Sequence, residues 1–194
     1  MKKLICLTMA LVMLLTASGA ALASMDSAVT TISATEWETN FQQLLDYAIE
    51  MDLPLTYDPV FSVAEYSHPD GRTRYEHTLE LASNMLVIYV EFGDDVFNSA
   101  QLAIRLDHGE MPVQMAQLAI FFTIKAGDMD TTWEESNALL AEICPTFDKV
   151  FNGEESLDGI RTATLRDIHY GMNSTDEGQF LRLYTNMNLT QKGT

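Results

Sequence analysis

Residues 84–144 hold most of the chain's strongly apolar side chains, and their periodicity changes part-way along. Met85–Phe92 is apolar at nearly every position, which fits a strand with neighbours on both sides. Gly93-Asp94-Asp95 turns the chain. Val96–Leu106 then alternates, with Ala100, Leu102, Ile104 and Leu106 on one face and Gln101 and Arg105 on the other. From Glu110 to Ala126 the spacing becomes helical: Met111, Met115, Leu118, Ala119 and Phe122 oppose Gln114, Gln117 and Lys125. A fifth strand is the competing reading, because Leu118–Ile124 is rich in Ile and Phe. The apolar run is longer than most strands, however. Asp107-His108-Gly109-Glu110 with Pro112 also reads as a helix start. A helix apolar nearly all round belongs inside the fold. Thr132–Cys144 gives a second helix, opened by a Thr cap with Glu in the first turn and ended by Pro145. A hairpin followed by a helical pair commits the chain to a sheet covered by helices.

The flanking segments extend both layers. Thr35-Glu36-Trp37-Glu38 has the form of a capping box, and Trp37, Phe41, Leu44, Leu45 and Ala48 continue it as one apolar helical face that stops before Pro54. Val60–Tyr66 and Thr73–Leu81 read as strands around a His68-Pro69-Asp70-Gly71 turn. In the second, Tyr75, His77, Leu79 and Leu81 share a face. Beyond Pro145, Phe147, Val150 and Phe151 form a further turn, and Glu154–Asp158 is an acidic loop. Ile160–Ile168 and Gln179–Met187 are the last two strands, with Asn173–Gly178 as a polar turn. The order is α-ββββ-αα-ββ. Elements in blocks predict an α+β domain: an antiparallel sheet of about six strands with helices packed on one face. The single domain spans 35–187, with a flexible lead-in at 24–34 and a frayed tail at 188–194. The similar Thr-Trp-Glu starts of the first and last long helices hint at a duplication, but capping boxes recur on physical grounds alone.

The first 23 residues read as a leader rather than as part of this domain. Met1-Lys2-Lys3 is basic, Leu4–Leu15 is apolar, and Ala21-Leu22-Ala23 has the small-x-small form of a cleavage site. The apolar stretch is short for a membrane span, and no Cys stands at the cut for lipid attachment. The expectation is a bacterial secretory signal peptide, cut near Ala23, and a mature chain that is periplasmic or secreted, with no membrane span. Removing Lys2 and Lys3 leaves nine basic residues against 28 acidic ones, a formal charge of −19. Such a chain repels phosphate backbones, which argues against nucleic acid as a partner. Residues 24–71 contain nine acids and no Lys or Arg. That stretch is a solvated face or a docking surface for something basic. Cys6 leaves with the leader, so Cys144 stands alone and reads as a small buried hydrophobe.

No catalytic motif stands out. There is no Gly-x-Ser-x-Gly elbow, phosphate loop, Cys-x-x-Cys pair, His-Glu-x-x-His or dinucleotide glycine fingerprint. His68, His77, His108 and His169 are not paired at ligand spacing on one element. Asp94-Asp95, Asp128 with Asp130, and Asp176-Glu177 could offer oxygens to calcium, yet all sit where turns and caps use Asp. Trp37 and Trp133 fall on apolar helix faces and read as core. Tyr57, Tyr66, Tyr75, Tyr170 and Tyr184 would mark a binding surface only if they cluster. No catalytic, cofactor or metal residue is assigned, and no cofactor is expected. The composite expectation is an exported, non-catalytic domain that binds a protein, peptide or envelope component through its sheet. An extracytoplasmic hydrolase built on an Asp/Glu–His site is the alternative.

Overall fold

Each helix end and turn uses a specific local device, and these devices fix where the layers meet. The computed structural model describes residues 32–53, 55, 59–67, 69, 71–81, 85–93, 95–106, 113–175 and 179–185. Helix α1 (Ala34–Glu50) starts at Ser33, whose hydroxyl accepts the Glu36 N–H at 3.1 Å. It ends with Asp52 at φ 59°. Asp52 N–H donates to the Ile49 carbonyl, and Leu53 N–H to that of Ala48, the bond pair of a Schellman cap. Its buried face is Trp37, Phe41, Leu44, Leu45 and Ala48.

Strands β1 (Ser62–Ser67), β2 (Thr73–Leu81), β3 (Met85–Phe92) and β4 (Val96–Arg105) form an antiparallel meander. The turn from β3 to β4 also serves α1. Asp95, at φ 63°, accepts the Thr35 N–H on its carboxylate (2.6 Å) and the Ala34 N–H on its carbonyl (3.1 Å). Those bonds, with the Thr35 hydroxyl, hold the Asp95 carboxyl below its ordinary range.

Helix α2 (Val113–Gly127) is buried at nearly every position from Ala116 to Ala126. It packs on α1, on helix α3 (Trp133–Ile143), and on β4. Its burial includes Lys125, whose ammonium donates to the carbonyls of Met129 and of Thr131 (2.8 Å). Desolvation lowers the Lys125 pKa, against the pull of Asp128 and Asp130. Helix α3 opens on a complete Thr132–Glu135 capping box, and the short α4 (Phe147–Phe151) follows.

Three more strands complete the sheet: β5 (Arg161–Leu165), β6 (Ile168–Thr175) and β7 (Phe180–Thr185). The sheet is seven-stranded and antiparallel, in the order β1-β2-β3-β4-β7-β6-β5. The two meanders therefore meet last strand to last strand, with Leu102 opposite Leu183 and Ile104 opposite Leu181. Leu79, Val87, Leu102, Leu183, Tyr170 and Met172 point to the helices and are essentially buried.

The α+β class, the antiparallel sheet and the helical assignment of 113–127 hold. The strand count and order differ from expectation. The chain runs α-ββββ-ααα-βββ, with seven strands, because Ile160–Ile168 is not one strand. It breaks at Arg166 (φ 48°) and Asp167 (φ 65°), which turn the chain into β6. Two consecutive left-handed residues make a tight hairpin turn, a place where Gly or Asn is the usual signal. Residues 173–175, expected in a turn, extend β6 instead. The cap of α1 is Ser33 rather than Thr35, so the helix begins inside the expected lead-in. The starts of α1 and α3 are thus less alike than their sequences suggest. The expected start of α2 before Val113, the signal peptide and the 188–194 tail lie outside the described residues.

Candidate functional site on the open face of the sheet

All helix contacts with the sheet come from one side, and the alternate residues of each strand point the other way. Register gives the composition of that outer face. One row across six strands reads Thr78, Ile88, Gln101, Tyr184, Gly171 and Thr162. The next reads Glu80, Leu86, Ala103, Arg182 and Asn173. A third places Arg105 beside Phe180. Among the described residues no helix lies over these rows. The result is a short aliphatic pair, Leu86 and Ile88, on β3, bordered by Thr78 and Glu80 of β2 and by Gln101 and Ala103 of β4, with Arg182 and Tyr184 of β7 beyond.

Arginines gather on this face of an otherwise acidic chain. Arg182 and Arg105 lie over the Phe180 ring at 5.6 and 5.8 Å, and Arg74 lies 5.9 Å from the Tyr66 ring. Arg72 covers Phe92 at 4.1 Å. Guanidinium groups stacked on aromatic faces add cation–π attraction to the packing of this face. Arg74 also donates to Glu76 at 2.9 Å.

The histidines do not assemble. His77 is on the inner face, stacked on Tyr89 with ring centroids 4.1 Å apart, its Nε2 3.1 Å from Glu91 Oε1. The Tyr89 hydroxyl donates to the Glu38 carboxylate of α1. Burial, then that bond and the charges of Glu38 and Glu91, pushes the Tyr89 phenol far above its ordinary value. Among the described residues no hydroxyl or thiol hydrogen-bonds to His77. His169 is on the opposite face, bonded through Nδ1 to the Thr164 hydroxyl at 2.9 Å. It is four strand spacings from His77, about 19 Å, so the two cannot share a site. His68 and His108 lie outside the described residues.

The remaining candidates are committed to local structure. Asp128 accepts the Asp130 N–H (2.9 Å) and pairs with Arg166 (3.4 Å). Arg166 and Asp128 line a cleft of about 550 Å³ between α1, the α2–α3 connection and the β5–β6 turn. Arg166 also forks onto Glu135 at 2.9 and 3.2 Å, so the acids of that wall are partly neutralised. Asp94, Asp176 and Glu177 are outside the described residues, and among the described residues no group of three His, Cys, Asp or Glu is placed to hold a metal. Cys144 is buried, and desolvation pushes its thiol up to about 11, which leaves it a thiol at neutral pH. Trp37 is fully buried, stacked between Phe41 and Phe97, and Trp133 packs edge-on against Phe121.

The tyrosines do not cluster. Tyr66 and Tyr184 share the outer face but sit on β1 and β7. Tyr75 and Tyr170 face inward, and Tyr57 is outside the described residues. The mixture of Tyr, Arg and Thr at outward strand positions is legible in the sequence, as in the alternation of Phe180, Arg182 and Tyr184, whereas the outward Leu86 and Ile88 are hidden in a strand that is apolar at nearly every position. No described helix is long and apolar enough to cross a membrane. Comparison with known proteins returns no match: no family model, no curated protein and no solved structure is significantly similar to this chain.

Proposed function

We propose that the chain is exported, cut near Ala23, and acts beyond the cytoplasmic membrane as a non-catalytic domain that binds a protein or peptide through the outer face of its sheet. The observation that carries this reading is the part-exposed pair Leu86 and Ile88 on β3, which no described helix covers, with Arg105, Arg182 and Tyr184 on the strands beyond. Apolar area flanked by Arg and aromatic residues is the composition of recognition surfaces. The leader-like start supports the location, and the formal charge of −17 disfavours nucleic acid. The test is twofold. N-terminal sequencing of protein recovered outside the cytoplasm should begin near Ser24. Cross-linking in intact cells should then trap a partner that R182E/Y184S loses, while the melting temperature stays within about 2 °C of wild type, as expected for surface changes. Retention of the partner by the double variant would sink the surface assignment.

The His77–Glu91 pair supports a second, weaker reading, a hydrolase. It supplies a base with an orienting carboxylate but no nucleophile within its described hydrogen bonds. Turnover of a chromogenic ester that H77Q abolishes would favour it over the binding reading.

A further inference from the structure

The two edges of the sheet differ. Strand β5 packs against α3, whereas among the described residues β1 pairs only with β2, and every one of its six residues is exposed. Val63 on the inner side is 58% exposed, Tyr66 on the outer side 49%, and Val60 just before the strand 70%. Proteins usually blunt such an edge with Lys, Pro or a bulge. The sequence Ser62-Val63-Ala64-Glu65-Tyr66-Ser67 contains neither residue, and its register with β2 is unbroken; its one charge, Glu65 on the inner side, deters a like-charged strand rather than a basic one. Alternate residues of β1 therefore present backbone N–H and C=O groups outward, and what satisfies such a row is another extended backbone.

Charge selects among extended chains. β1 lies within the stretch 24–71, which has nine acids and no Lys or Arg, and α1 with its C-terminal cap in the same stretch exposes Glu36, Asp46, Glu50 and Asp52. The nearest cation across the hairpin, Arg74 opposite Tyr66, is already paired with Glu76. A second copy of this chain would bring two such negative ends together, and the register centred on Glu65 would set Glu65 against its own mate. We infer that β1 takes up an extended, basic segment of another protein as an eighth strand. Apolar side chains of that segment lie beside Val63, and Lys or Arg lies beside Glu65 and over the Tyr66 ring. The site lies on the β1 edge; of the outer face it uses Tyr66 alone and does not depend on the aliphatic pair on β3 or on Arg182 and Tyr184.

The experiment uses the mature chain and a short capped peptide that carries Val and Lys two positions apart on one face and Arg on the other, to match Val63, Glu65 and Tyr66, titrated by NMR at low salt. Backbone amides of residues 62–67 should shift on addition. The same peptide N-methylated at alternate amides keeps its charge and apolar surface but cannot pair along an edge. One of its two methylation phases should bind at least about tenfold more weakly. A Val-Glu analogue should not bind, and E65K should weaken the basic peptide about tenfold without changing the fold. R182E/Y184S should bind it like wild type, which separates failure of this inference from failure of the outer-face reading. Equal binding of both N-methylated forms would reduce the contact to charge adhesion and overturn strand addition. So would a β1-dependent dimer seen by sedimentation, which would make the occupant a second copy.

Discussion

Glu135 closes two structures at once. Its carboxylate accepts the Thr132 N–H (2.8 Å) and hydroxyl (3.1 Å), completing the cap of α3, and it also holds Arg166 from the β5–β6 turn. Burial alone would raise its pKa. The Thr132 and Arg166 hydrogen bonds outweigh that and hold it below the ordinary 4.5. A carboxyl whose folded pKa is depressed stabilises the fold above its unfolded pKa, and that stability is lost as pH falls through the lowered value. Glu135→Gln should therefore cost about 1 kcal/mol at pH 7, kept modest because the side chain is 35% exposed. Urea titrations of wild type and variant should converge as pH drops well below 4.5. A gap that stays constant from pH 7 down to the acid limit of the folded state would mean the carboxylate's charge is irrelevant. Thr132→Ala removes the partner hydroxyl and should cost a similar amount, about 1 kcal/mol, with a weaker fall toward low pH, because that hydroxyl supplies only part of what holds Glu135 below 4.5.

At the scale of elements, the turn between β5 and β6 shows what local pattern conveys and what it hides. Arg166 and Asp167 both adopt left-handed backbone, at a cost of about 1–2 kcal/mol per L-residue. Arg166 is retained there by Glu135 and Asp128, whereas Asp167 is exposed and has no such contact among the described hydrogen bonds. Asp167→Gly should thus stabilise, by about 0.5–1 kcal/mol after glycine's entropic cost, or roughly 1–4 °C in melting temperature. Arg166→Gly should do the reverse, because it releases two carboxylates; calorimetry on the pair decides. The same turn explains why the last strands were only partly legible. Alternation in Thr162–Ile168 continues across the break, and without Gly or Asn nothing in the letters interrupts it. Where punctuation was explicit, at Gly93-Asp94-Asp95 or at Thr132-Trp133-Glu134-Glu135, bounds and caps fell within a residue or two of the structure. The α1 cap was misread for a tertiary reason: Asp95, 60 residues away, satisfies the Thr35 N–H and frees Ser33 to start the helix.

Across the whole molecule, the candidate surface was illegible because it depends on register between strands far apart in sequence. Arg182 becomes a neighbour of Ala103 and Leu86 only when β7 adds to β4, and no local period announces that pairing. The seam also decides whether the two meanders act as one cooperative unit. On the helical side, Leu102, Ile104, Leu181 and Leu183 line it. α2 spans it, packing on α1 from the first half and α3 from the second, and touching both β4 and β7. No layer can be opened at this seam without exposing α2, whose buried side chains serve both halves. Leu183→Ala should therefore cost about 2–5 kcal/mol while leaving a single unfolding transition. The two tryptophans make this checkable, since Trp37 reports on α1 and Trp133 on α3. In Leu183→Ala carrying Trp133→Phe, fluorescence of Trp37 and far-UV circular dichroism should give the same urea midpoint. A first-half signal that outlasts the loss of overall secondary structure would show that β1–β4 with α1 holds its own core, and that the second meander is an addition rather than half of one fold.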